Sequence, residues 1–323
     1  MTKPKVAFYW CASCGGCEET VVDLGEAILD VVQAVDIVFW PVALDFKYKD
    51  VEALDDGAIA VSFINGAIRT SEQEEVARLL RRKSQLVVAF GACAASGGIP
   101  ALANLTSREA IFRTAYHDVP ALDNPEGTEP RPSSTVGGHE VRLPEIYPTV
   151  YRLADVIEVD YTIPGCPPPS ALLASAVGAI LKGELPPRGS VLAPDKALCV
   201  SCDRNASKPD EVYIDRIRRV VDTELRPDLC FLAQGVICMG PATRDGCGQA
   251  CISGNMPCTG CFGPTSNCRD QGGKMMAALG GILRASDEKQ LDSALEALVD
   301  PAGTFYRYTL SASLVGSHRK DKD

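Results

Sequence analysis

Fourteen cysteines are the residues of this 323-residue chain whose type and spacing point to chemistry. Three stand in Cys11-Ala-Ser-Cys14-Gly-Gly-Cys17-Glu18-Glu19, directly after the apolar run Val6–Trp10. Three thiols and two adjacent glycines at the mouth of a strand make a poor packing device and a good clamp for a group that wants thiolates. Cys93 follows in Phe-Gly-Ala-Cys-Ala-Ala-Ser-Gly-Gly, and Cys166 in Ile-Pro-Gly-Cys-Pro-Pro-Pro. Eight more come as Cys199-x₂-Cys202, Cys230-x₇-Cys238, Cys247-x₃-Cys251 and Cys258-x₂-Cys261, with Cys268 left over. Nine of the 14 fall between Cys199 and Cys268, where aliphatic runs are scarce. That clustering argues against the simple reading of cysteines as small buried hydrophobes.

Four thiolates suit a structural Zn²⁺ or a [4Fe–4S] cluster. Around the first five cysteines, Gly15, Gly16, Gly91, Gly97, Gly98 and Gly165 favour a cluster, which is bulky and needs close backbone approach and N–H donors to its sulfurs. The prolines after Cys166 supply no competing N–H. Only one of Cys11 and Cys14 is needed beside Cys17, Cys93 and Cys166, and C-x₂-C spacing favours Cys14. The eight cysteines of the second half are the number for two Cys₄ sites, with zinc left open by spacing alone. Metal is then expected to hold that region as much as a core does.

The elements that must position these thiols read as an open α/β sheet. Val6–Trp10, Ile37–Leu44, Ala58–Ile64, Leu86–Phe90 and Val156–Ile163 are rich in Val, Ile and Phe and mostly continuous, as for parallel strands covered on both faces. Helical periodicity predicts helices over Glu19–Ala34, Ser71–Lys83, Ser107–Tyr116 and Ser170–Lys182, the second opening on a Ser71/Glu74 capping box. Strands alternating with helices predict a flavodoxin-like doubly wound sheet. Ligands bind at the carboxyl ends of such strands, where Cys11–Cys17, Cys93 and Cys166 all fall. The Pro-, Gly- and Ser-rich stretch Asp118–Pro148 breaks the pattern and reads as an insertion, either functional or a solvated loop.

Pro186-Pro187 marks a boundary. The expected units are residues 1–187, a smaller irregular two-cluster iron–sulfur domain over 188–285, and a C-terminal helix (Asp287–Val299) with a charged, disordered tail over 286–323. A net charge of −10 argues against a nucleic-acid partner, and no apolar run reaches the ~20 residues of a membrane span. With no apolar or twin-arginine leader, a cytoplasmic location is expected, where thiols rarely become structural disulfides.

The motifs C-x-x-C-x-E, G-x-C-x-x-x-G-G and P-G-C-P-P together resemble the small subunit of [NiFe]-hydrogenases, over about Val6 to Leu283. The resemblance implies a proximal cluster on Cys14, Cys17, Cys93 and Cys166, with Glu19 as the motif's acidic residue and a possible proton path, and Cys11 as an unligated neighbour. It implies a distal cluster on Cys199, Cys202, Cys230 and Cys238, Cys199 standing where respiratory members have His. It implies a medial cluster on Cys247, Cys251, Cys258 and Cys261, Cys251 standing where many members have Pro, so three [4Fe–4S] clusters are expected. All-thiolate ligation should keep them at low potential, since His ligation raises the Rieske potential. Cys268 reads as a free buried thiol.

The all-Cys sites and the phrase Asn-Met-Pro-Cys-Thr-Gly-Cys-Phe-Gly-Pro-Thr look like the cytoplasmic, F420-non-reducing group that works with heterodisulfide reductase. The partners so implied are a nickel–iron large subunit, a small delta-type iron–sulfur subunit and a heterodisulfide-reductase-like flavoprotein. The chain would then relay electrons and do no chemistry on H₂ itself, its His117, His139 and His318 lying in loops or the tail. Two other readings compete: a complex I-like subunit, which would carry one cluster, and a zinc protein.

Overall fold

The computed structural model describes residues 3–316. In chain order the strands are β1 Lys5–Trp10, β2 Asp36–Phe39, β3 Ile59–Asn65, β4 Ile68–Thr70, β5 Ser84–Phe90, β6 Ser133–Val136, β7 His139–Arg142, β8 Ile146–Tyr151 and β9 Tyr161–Ile163. Five of them form one sheet in the order β2-β1-β3-β5-β9, every pairing parallel. Counting only those five, the order is 2-1-3-4-5, the flavodoxin-like arrangement.

The period of two decides the cores. Val6, Phe8, Val61, Phe63, Val88, Phe90, Tyr161 and Ile163 pack into one buried cluster, while Ala7, Ile64, Val87 and Ala89 pack into the cluster on the opposite face. Phe8 stacks on Phe63 at 5.2 Å between ring centroids, and Phe90 meets Phe63 edge-on at 6.0 Å. Helices Gly16–Val22 (α1), Ala27–Ala34 (α2), Tyr48–Glu52 (α3), Ser71–Lys83 (α4), Ala92–Ser96 (α5), Arg108–Arg113 (α6) and Ser170–Lys182 (α7) follow in turn.

Several elements differ from expectation for identifiable reasons. The run Glu19–Ala34 is two helices, because the chain turns after Val22 through Gly25 at φ +59°. The second strand stops at Phe39, where Trp40 to Leu44 turns instead, the Leu44 N–H donating to the Trp40 carbonyl at 2.8 Å. Pro41 has no N–H to give a ladder. The last strand is only three residues, because the N–H groups of Val156 and Ile157 donate back to Leu153 at 3.1 Å in a 3₁₀ turn. Helix α4 is capped by Thr70 with Gln73 rather than by Ser71 with Glu74; Glu74 binds Arg78 and the Tyr147 hydroxyl. The helix expected over Ser107–Tyr116 leaves α-geometry after Arg113 and runs on as a π-turn, Thr114–Asp118. Within Asp118–Pro148 the chain forms an exposed antiparallel hairpin, β6–β7, turning at Gly137-Gly138.

From Leu198 onward the chain is built of 3₁₀ turns and short helices, α8 Ala250–Ser253, α9 Gln271–Ile282, α10 Glu288–Glu296 and α11 Pro301–Phe305. Its buried cluster of Leu198, Phe231, Met239, Ile252, Met275, Phe305 and Leu310 takes in Ala67, Ala101 and Val150 of the first half. This core is larger than the scarcity of apolar runs suggested. The segment after α11 packs back on the sheet, where the Tyr308 carbonyl accepts from Ser96 Oγ at 2.7 Å and from the Gly98 N–H at 3.1 Å. The charged end from His318, expected to be disordered, lies outside the described residues.

Candidate functional site

Twelve cysteines gather into three sets of four. Cys14 and Cys17 stand at the start of α1, which opens on Gly15 at φ +87°; Cys93 lies in α5; Cys166 follows β9. The Cys17 thiol is pushed up first by burial and then by Cys93, Cys166 and Cys14, so all four share one neighbourhood. Burial raises Cys93 to about 12, with Cys166 and Cys14 adding to the shift. A Cβ on Gly91 would lie 2.2 Å from Cys17 Sγ, and one on Gly98 would lie 2.5 Å from Cys93 Sγ. Glycine is required at both because the thiols fill the space a side chain would take.

The second set, Cys199, Cys202, Cys230 and Cys238, lines a single small cavity with Arg204, Phe231, Leu232, Gly240 and Ile252. Burial raises Cys199 to about 12 and Cys238 to about 11, each also feeling Cys202 and Cys230. A Cβ on Gly240 would sit 3.2 Å from Cys199 Sγ, and the Gly240 N–H donates to the Cys238 sulfur. Cys247, Cys251, Cys258 and Cys261 line a cleft of about 350 Å³ that also reaches Cys166 and the prolines after it. There burial again leads the upward shifts of Cys258 and Cys261, while amides of Gln249 and Gly260 donate to the Cys247 and Cys258 sulfurs.

The sets touch. Cys166 lies in the same cleft as Cys261 and raises its thiol, and the Cys258 N–H donates to Cys238 Sγ at 3.4 Å. Each set fits an iron–sulfur group, with four thiols, close glycines and backbone N–H donors in mostly apolar surroundings. Buried thiols held this far above neutral carry no stable charge alone and need a cation to become thiolates. Among the described residues, no three His, Cys, Asp or Glu side chains converge on a single-ion site.

The remaining candidate residues fall elsewhere. Cys11 is buried among the aliphatic residues of the sheet, its thiol pushed up by burial alone. Cys268 is half-buried rather than buried, and its thiol donates to the Asp270 carbonyl at 3.3 Å. His117 lies in the π-turn against Glu129 at 2.8 Å, and His139 opens β7, so neither is in a loop. Glu19 is exposed on α1.

Its neighbour Glu18, which the motif passes over, is 4% exposed. Glu18 Oε2 accepts from Trp40 Nε1 at 2.8 Å and Oε1 from Asn65 Nδ2 at 2.9 Å, while Asn65 Oδ1 accepts from Ser13 Oγ at 2.8 Å. Burial raises the Glu18 carboxyl against the lowering effect of those two donors. The network ties the loop ahead of Cys14 to β3. The helix phase carried a signal for it: Cys17, Thr20 and Val21 are buried, and Glu18 lies on their face.

Comparison with known proteins agrees with this geometry. The chain is 38% identical to the F420-non-reducing hydrogenase iron–sulfur subunit of Archaeoglobus profundus, over 96% of this chain and 97% of that protein. The chain belongs to the family of F420-non-reducing hydrogenase iron–sulfur subunits. It is 37% identical to the corresponding F420-non-reducing hydrogenase subunit of Methanothermobacter thermautotrophicus, over 97% of its length and 96% of that protein's. Residues 14–180 match the family model described as NADH ubiquinone oxidoreductase, 20 Kd subunit. Among solved structures, a chain of the [NiFeSe] hydrogenase from Desulfovibrio vulgaris Hildenborough shares the fold at TM-score 0.52 and 18% identity, covering 83% of this chain and 95% of that one. As a member of this hydrogenase family the chain is part of an oxidoreductase complex, with a small-subunit-like part in electron transfer. No helix among the described residues is long and apolar enough to cross a membrane.

Proposed function

We propose that the chain is the electron-relay subunit of a cytoplasmic [NiFe]-hydrogenase. It would pass electrons from H₂ oxidation on a large subunit through three [4Fe–4S] clusters to an iron–sulfur or flavin partner. Cys14, Cys17, Cys93 and Cys166 would hold the proximal cluster, Cys247, Cys251, Cys258 and Cys261 the medial, and Cys199, Cys202, Cys230 and Cys238 the distal. Such clusters, when bound, supply reversible one-electron storage. The observation that carries the reading is that Cys166 shares one cleft with Cys247, Cys251, Cys258 and Cys261, while the Cys258 N–H donates to Cys238 Sγ, so the three thiol sets adjoin end to end.

The chain's own residues do the rest. Apolar walls from Phe231, Leu232 and Ile252 exclude water at the distal thiols. Amides of Gly240 and Cys258 there donate to sulfur and favour the more negative state. Cys14 and Glu19 are both exposed and suit the face that meets the large subunit. Delta-type and heterodisulfide-reductase-like subunits are the acceptors we propose at the distal end, and residues 1–187, 188–285 and 286–323 the three working units.

Co-expression with a large subunit tests the reading. Cys14→Ser should abolish H₂-dependent dye reduction while the two subunits still co-purify. Retained activity at the wild-type rate would assign the fourth proximal ligand elsewhere, and a chain that binds no large subunit would overturn the relay.

A further inference from the structure

Two arginines are buried near the cysteines of the second half, and only one has a carboxylate. Arg244 pairs with Asp195 at 2.8 Å. Arg204, 6% exposed, has no carboxylate within 4 Å among the described residues. Its Nη1 donates to the carbonyls of Arg226 and Leu229 at 3.2 and 3.3 Å, and its Nη2 to the Ile252 carbonyl at 3.3 Å and Asn255 Oδ1 at 2.8 Å. The guanidinium lies 4.2 Å from the centroid of the Phe231 ring. Asp228 feels the charge weakly but is exposed and bound to Arg226 at 2.8 Å.

A buried guanidinium satisfied only by neutral acceptors is an expensive arrangement, because no opposite charge offsets its desolvation. Arg204 lines the same small space as Cys199, Cys202, Cys230 and Cys238, and the Lys208 charge also reaches Cys199. A four-thiolate cluster carries net negative charge in either oxidation state and gains one more unit on reduction. We propose that Arg204 is a buried, fixed counter-charge of the distal site, beside the Lys208 charge that also reaches Cys199, and that it stabilises the reduced state and raises the potential relative to what four thiolates alone would set. This rests on reading those thiols as an iron–sulfur site.

Net charge and sulfur environment set cluster potential, so the charge acts in the opposite sense to all-thiolate ligation. Electrons then collect at the distal end of the series, where an acceptor can take them. Arg204 is a positioning and tuning residue, because it reaches the cluster through space and ligates nothing.

The test is an EPR-monitored redox titration of the purified complex, with iron counted on the same samples. The distal signal is identified as the one altered in Cys230→Ser. Arg204→Met should keep its iron and lower the distal potential enough to change the reduced-to-oxidised ratio at fixed ambient potential at least tenfold, which is 59 mV for one electron. Arg204→Lys, which keeps the charge and loses the planar fork, should stay within about threefold of wild type.

A Met variant with full iron and an unmoved distal potential would overturn the proposal. So would a Lys variant shifted as far as the Met variant, since the carbonyl contacts rather than the charge would then be responsible. If the Met variant loses distal iron, the Lys variant decides: near-wild-type iron and potential support the proposal, and equal loss overturns it. Failure of the cluster reading is distinguishable, because it shows in the wild-type iron count before any variant is compared.

Discussion

A single methyl group at Gly91 should dismantle the proximal site. Gly91 sits at φ +86° and ψ 168°, a region occupied almost only by glycine, so alanine there costs about 1–3 kcal/mol in backbone strain alone. Its Cβ would lie 2.2 Å from Cys17 Sγ, whereas non-bonded contact needs about 3.5 Å or more. The backbone has little room to yield. The Gly91 N–H donates to Ile163 at 2.8 Å and the next N–H to Gly165 at 2.7 Å. The thiol must therefore move by more than about 1 Å, several times the ~0.2 Å tolerance of a metal–ligand distance.

Gly91→Ala is expected to lose about four irons and the proximal EPR signal while both other sites stay filled. Gly137→Ala is the control. It too has a positive φ, +58°, but nothing lies within 4 Å of its added Cβ, so it should cost about 1–2 kcal/mol and no iron. A Gly91→Ala protein with full iron and an unchanged proximal signal would refute the reasoning.

Cys251→Pro should turn the medial centre into a three-iron cluster with a distinctive signal in the oxidised state. Position 251 is the second residue of α8, where an N–H has no intrahelical acceptor to lose, so proline is tolerated; an unchanged spectrum would contradict the ligand assignment. Asp160→Ala should destabilise the sheet by about 1–3 kcal/mol, since the buried carboxylate holds Arg81 at 2.6 Å, Arg188 at 2.7 Å and the Val87 N–H at 2.7 Å, and its loss leaves that buried N–H unpaired while both arginines can reach solvent. Chemical denaturation measures this, and a loss below about 0.5 kcal/mol would show that the Asp160 contacts do not hold the sheet.

Much of the site was legible because its signals are local. Runs such as Ala58–Ile64 declare buried parallel strands, and the topology then delivers the loops at Cys14, Cys93 and Cys166 to one edge of the sheet. What stayed hidden depends on contacts between distant residues. Thr70 takes the cap from Ser71 because Gln73 reaches back to it, while Tyr147, 73 residues on, claims Glu74. Glu18 is buried and Glu19 exposed because of how α1 lies against Trp40 and Asn65, which a motif cannot express. Arg204 follows Cys202 by two residues, yet that its hydrogen bonds among the described residues all go to neutral acceptors is visible only once residues 226–255 have folded around it.

The most direct test of the central claim is elemental analysis of the chain purified without oxygen, reading iron, acid-labile sulfide and zinc per polypeptide. Three four-iron sites predict about twelve irons and about twelve sulfides with negligible zinc. About four irons would leave the second half without clusters and contradict the relay, and a colourless protein carrying zinc would contradict the account as a whole.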